Sequence, residues 1–127
     1  MQLSQQSEEG HFAVRRVSVD QIQVGDRCLS RSLLLAPDRC IEDFSPRSLQ
    51  DFDDAAIEAI LALQPAVVLI GTGARQHLAP PALMAAFLTR GVGLEAMDSA
   101  AAARTFNLLA GEGRRVVAAF LLDPPHA

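Results

Sequence analysis

Residues 67–76 read VVLIGTGARQ, and the reading of this stretch decides the fold. With Ala66 before it, Val67–Ile70 is a short run without a polar residue, the pattern of a strand buried on both faces in a parallel sheet. It halts at Gly71-Thr72-Gly73, and Arg75 follows. Upstream, Asp53 or Asp54 can cap a helix that runs to Leu63 with Ile57, Ile60 and Leu61 on one face, and Pro65 closes it. Downstream, Pro80-Pro81 suits a helix start, because the first turn has no use for the amide proton that proline lacks. That helix is expected to reach Arg90, with Gly91 ending it. Leu94–Met97 reads as the next strand, Asp98 or Ser99 caps a third helix to about Ala110, and Val116–Leu122 is the last strand. The order is β-α-β-α-β, and right-handed crossovers set strands 66–70 and 94–97 parallel in one sheet.

The front third has a different rhythm. Phe12, Val14, Val17 and Val19 suggest a strand with a bulge at Arg15-Arg16. Gly25-Asp26 signals a turn, Arg27–Ala36 reads as a second strand, and Pro37-Asp38 turns into a third over Arg39–Phe44. The expected fold is therefore α/β in a single domain over residues 1–127. A mixed sheet with helices packed on it occupies 47–122, a small antiparallel β layer occupies 11–46, and residues 1–10 read as a disordered tail.

Composition narrows the function classes. The 127 residues are 50% hydrophobic, enough for a core without disulfides or metals. Net charge is −4, and every basic residue is Arg. With so many alanines, that usage points to a GC-rich, bacterial genome. The first 63 residues hold 6 Arg against 11 Asp and Glu, so a basic nucleic-acid surface is not expected. The polar, acidic start MQLSQQSEEGH lacks the features of a secretory or mitochondrial leader, and no apolar run approaches the roughly 20 residues of a transmembrane helix. A cytoplasmic protein is expected. Cys28 and Cys40 stand outside any CxxC or metal spacing and read as reduced, largely buried thiols.

The glycine turn invites a phosphate-loop reading, which fails. There is no lysine for GxxxxGK[ST], and Gln76 stands where GxGxxG needs its third glycine. The helix start near residue 80 is also too far from the turn to present its amides to a pyrophosphate. No GxSxG or HExxH occurs. His11 and His126 are isolated, and His77 beside the turn, the one histidine worth keeping, reads better as a loop histidine bonded to nearby backbone than as a general base. No cofactor, no metal site and no catalytic residue is expected.

Ligands in open α/β sheets bind at the carboxyl ends of the strands, here the loops Gly71–Ala79 and Asp98-Ser99. On the third helix Ala102, Ala103, Phe106, Leu109 and Ala110 form an apolar stripe, which places Arg104 opposite it with Asn107 nearby. The candidate ligand- or partner-binding set is thus Gly71, Thr72, Gly73, Arg75, Asp98, Arg104 and Asn107. Two arginines suit a carboxylate, a phosphate or an acidic peptide. The structural alternative pairs Arg104 with Asp98 or Glu112, and is narrowly favoured because ion-pair networks are common structural devices.

Residues 65–122 resemble a widespread small family of uncharacterised proteins. Its members include a mitochondrial respiratory complex I assembly factor and an adipogenesis-associated domain protein. The resemblance rests on the GTG turn, the following proline pair, the MD pair and an RTxN motif. Gly71, Thr72, Gly73, Met97, Asp98, Arg104, Thr105 and Asn107 match it. Ser99, Ala103 and Phe106 replace a usual Thr, Cys and Tyr, which speaks against a shared thiol or phenol chemistry. The resemblance implies an α/β sheet, no established activity and, for the mitochondrial relative, work with protein partners. The leading expectation is a non-catalytic protein-binding or assembly-factor-like module, its partner an unidentified protein or a second copy. The alternative is an enzyme or sensor for a small anion at the Gly71–Gly73 and Arg104 edge.

Overall fold

The computed structural model describes residues 11–123, so the expected tail at 1–10 and His126 lie outside the described residues. Five short strands come first: β1 (Val14–Val17), β2 (Ile22–Val24), β3 (Arg27–Leu29), β4 (Leu33–Ala36) and β5 (Arg39–Ile41). A 3-10 turn at Leu49–Asp51 leads into α1 (Asp54–Leu61), followed by β6 (Val67–Gly71), α2 (Pro81–Leu88), β7 (Gly93–Met97), α3 (Ser99–Gly111) and β8 (Val116–Phe120). The helix starts follow their capping residues. Asp53 accepts from Ala56 N–H and Asp98 from Ala101 N–H, and Pro81 opens α2 behind Pro80.

The mixed sheet has the order β5-β4-β8-β6-β7, with β6 parallel to both β7 and β8, and β4 antiparallel to β8 and β5. From β6 the chain steps outward to β7 through α2, then back across β6 to β8 through α3. Two right-handed crossovers in opposite directions must put their helices on opposite faces. They do. Val116, Ala118 and Phe120 face the cluster that includes Ala102, Ala103 and Phe106 of α3. Val117, Ala119 and Leu121 face the cluster built on Ile60 of α1 and on Leu83 and Phe87 of α2. Every residue of β8 is buried, as a strand covered on both faces requires.

The second sheet, β1-β2-β3, is antiparallel and carries the expected irregularity between Val14 and Arg16. Its Val14, Ile22, Val24 and Leu29 complete the cluster around α3. The front third departs from the expected pattern in three places. Arg27–Ala36 is not a single strand but two, β3 in the small sheet and β4 in the large one. The break is fixed by Ser32, which is 3% exposed: its hydroxyl donates to Leu122 O and accepts from Leu122 N–H at 2.9 Å. That pairing locks the start of β4 to the end of β8 and turns the chain into a new layer. The strand at Ile22–Val24 was not expected at all, and β5 stops at Ile41 rather than Phe44.

Candidate functional site at the carboxyl edge of the sheet

Where β6, β7 and β8 end, the backbone at position 71 has no room for a side chain. A β-carbon on Gly71 would lie 2.9 Å from both Phe120 Cδ1 and Ser99 Oγ. Gly73 is needed for its conformation instead, at φ +90°. The turn is then laced to the start of α3. Gly73 N–H donates to Ser99 Oγ at 2.8 Å, and Ser99 N–H donates to Gly73 O at 2.8 Å. Thr72 N–H donates to Met97 O at 2.8 Å, while its hydroxyl oxygen lies 2.6 Å from Arg75 O and accepts from His77 N–H at 3.2 Å. The side chain of Gln76 donates to Ala96 O at 3.0 Å. The donors an anion would seek at Thr72, Gly73 and His77 are therefore spent within the protein.

The expected site residues do not form one cluster. Gly71, Thr72, Gly73 and Asp98 gather at this corner, Asp98 as the cap of α3 at 2.8 Å from Ala101 N. Arg75 is exposed on the loop. Arg104 is exposed on α3 and, among the described residues, forms an ion pair with neither Asp98 nor Glu112, contrary to the favoured expectation. Asp98 and Glu112 lie six and eight residues from Arg104, outside the three- or four-residue spacing at which side chains on one helix meet. Asn107 is turned to β1, where its amide accepts from Val14 N–H at 2.9 Å and donates to Val14 O at 2.8 Å.

Two cavities open on this edge. One, of about 230 Å³, is bounded by Arg47, Ser48, Leu49, Thr72, His77 and Leu121. The other, of about 440 Å³, is bounded by Arg31, Glu42, Asp43, Phe44, Ser45 and Arg47, with Leu122 behind. Arg47 belongs to both walls. Sequence reasoning missed this arginine because residues 42–50 carry no apolar period; Ser45-Pro46 marks a loop and nothing more. Among the described residues, no group of three or more His, Cys, Asp or Glu is placed to hold a metal ion.

Charges near these cavities are partly neutralised. Arg27 grips Glu42 with both terminal guanidinium nitrogens, Nη2 on Oε1 at 2.9 Å as a hydrogen bond and Nη1 at 2.8 Å from Oε2 as a misaligned ion pair. Burial, with Glu42 nearby, pushes the Cys40 thiol up to about 11. Cys28, expected to be buried, is exposed, because β3 turns its middle side chain away from the core; neither cysteine forms a disulfide. At the opposite edge, the hydrogen bond from Arg115 holds the Asp38 carboxyl below the usual carboxylate range.

A second surface lies on α2, whose eight residues, PALMAAFL, include no polar side chain. Leu83 and Phe87 point inward, while Pro81, Met84, Ala85 and Leu88 are exposed at the i, i+3, i+4, i+7 spacing of one stripe. Leu78, in the loop leading to the helix, is 84% exposed and Leu88 59%. Among the described residues, no helix is long and apolar enough to cross a membrane.

Known proteins share this architecture. The solution structure of a Xanthomonas campestris protein is 43% identical and superposes with a TM-score of 0.81, over 95% of each chain. A Bordetella pertussis protein described as a Mth938-like domain is 30% identical, with a TM-score of 0.76 over 98% of this chain and 94% of its own. The human protein named NADH dehydrogenase (ubiquinone) 1 alpha subcomplex assembly factor 3 is 32% identical over 103 residues, 80% of this chain and 54% of that protein. The chain spans about half the length of such curated relatives. With residues 14–121 matched by a family described as proteins of unknown function (DUF498/DUF598), the chain belongs to that family.

Proposed function

We propose that the protein is a non-catalytic, cytoplasmic protein-binding module of the assembly-factor kind, and that the outward face of α2 carries its main partner contact. The observation behind this reading is the apolar stripe of Pro81, Met84, Ala85 and Leu88. A helix that is apolar all round is normally covered all round, and exposed apolar patches mark places where another macromolecule docks. The naming of the human and mouse relatives as assembly factors supports the same reading. So does the internal use of the glycine-turn donors, which suits a braced corner better than an anion cradle. In this reading Gly71, Thr72, Gly73, Asp98 and Asn107 hold the scaffold, and the exposed Arg75 and Arg104 are available to a partner.

The test is affinity capture from native cells with the wild-type chain and with Met84→Glu/Leu88→Glu as baits, alongside light scattering for self-association. Both substituted positions are exposed, so the double variant should fold normally. A partner captured in stoichiometric amounts by the wild type and lost by the variant is the expected outcome. Identical captures and identical masses would sink the proposal.

A further inference from the structure

We infer that the furrow at the carboxyl edge of the sheet binds an extended acidic peptide segment, with Arg31 and Arg47 as its carboxylate contacts. The shape comes first. Ser32 opens β4, Leu121 and Leu122 follow β8, and Thr72 follows β6, so the two cavities sharing Arg47 lie across three adjacent strands. Strands spaced at about 4.8 Å make that span roughly 10 Å, the reach of about three residues of extended chain.

The charges give the sign. Arg31 and Arg47 are exposed and, among the described residues, have no ion-pair partner. Glu42 is held by Arg27, which leaves Asp43 as the one uncommitted carboxylate in the lining. Separate carboxylates fit this furrow better than a phosphate does. Guanidinium forks match either group, but the amides of Arg47 and Ser48 that could nest a phosphate already donate to Asp51 Oδ2 at 3.1 and 3.2 Å. Phe44 and Leu49 supply an apolar floor, so acidic side chains interleaved with apolar ones match the lining.

This inference deepens the protein-binding reading by giving the chemistry of a partner segment, and it concerns a surface other than α2. The probe is therefore a free peptide. The whole chain, labelled with nitrogen-15, is titrated with a blocked hexapeptide alternating glutamate with leucine, with its lysine counterpart, and with succinate. Saturable amide shifts at Arg31, Ser45, Arg47 and Thr72 are expected with the glutamate peptide alone, weakening as salt is added. Arg31→Glu/Arg47→Glu should weaken binding about tenfold, the effect of two exposed ion pairs together; Arg31→Gln/Arg47→Gln serves if the reversal disturbs the fold. The absence of saturable shifts, equal response to the lysine peptide, or binding indifferent to both double variants would overturn the inference. Succinate binding as tightly as the peptide would replace the peptide with a small dicarboxylate. Shifts confined to α2 would remove the furrow while leaving the protein-binding reading intact.

Discussion

Asn107 and Val14, 93 positions apart, are joined by a ring of two hydrogen bonds between one side-chain amide and one backbone residue. The ring fastens β1 to α3 at the register irregularity between Val14 and Arg16, where the small sheet's own ladder is interrupted. Asn107→Ala leaves both Val14 groups without their partner and should cost about 1–3 kcal/mol in a denaturant melt. Asn107→Asp keeps the acceptor, loses the donor and should fall in the same range. A loss below about 0.5 kcal/mol in both variants, the scale of an ordinary surface substitution, would show that the clamp is dispensable.

The case of Asn107 shows how far the sequence could be read. Helical geometry placed it correctly on α3 beside Arg104, but an angular position does not say what lies opposite. A strand from the far end of the chain was there. The back half was legible because its signals are local: the proline pair at 80–81, the caps Asp53 and Asp98, and the apolar run at 66–70. The front third was harder, since alternation in Arg27–Ala36 is the same whether its residues join one sheet or two. Tertiary pairing divides them: β3 joins β2, while the bonds of Ser32 to Leu122 and the ladder with β8 take β4 into the large sheet. Arg47 escaped for a related reason, because its place between two cavities arises from three strands converging.

Gly71→Ala tests the close approach at the sheet edge. The added carbon meets Ser99, a backbone-anchored neighbour, and the ring of Phe120, which is fully buried and has little room to turn. Overpacking of this sort costs about 1–3 kcal/mol, and thermal or denaturant unfolding should register it. A variant as stable as the wild type would mean that the corner yields easily.

Arg104→Ala should leave stability within about 0.5 kcal/mol of the wild type. The side chain is exposed and, among the described residues, no carboxylate pairs with it, while alanine is the better helix former. A loss of several kcal/mol in a urea melt would contradict this and restore a buried structural role.

The two thiols should differ sharply in reactivity. With Cys40 pushed up to about 11, roughly one molecule in a thousand carries its thiolate at pH 8, whereas Cys28 is exposed. A disulfide reagent should label Cys28 quickly and the half-buried Cys40 far more slowly in the folded protein. Because the Cys40 value is raised in the folded state, its contribution to stability is full below the ordinary value of 9.0 and fades as pH climbs towards 11. Equal labelling rates in the native protein would be incompatible with this burial.

The position of β8 has a consequence for synthesis. It lies between β4 and β6, yet the ribosome makes it after every other strand of that sheet. Until it emerges, the β4–β5 hairpin and the β6–α2–β7 unit each hold an open strand edge, and both hydrophobic clusters lack their middle layer. Unfilled edges of this kind pair readily with other chains. The nascent polypeptide is thus kept from completing this sheet until β8 has been translated, and in that interval a chaperone that shields bare strands has the most to protect.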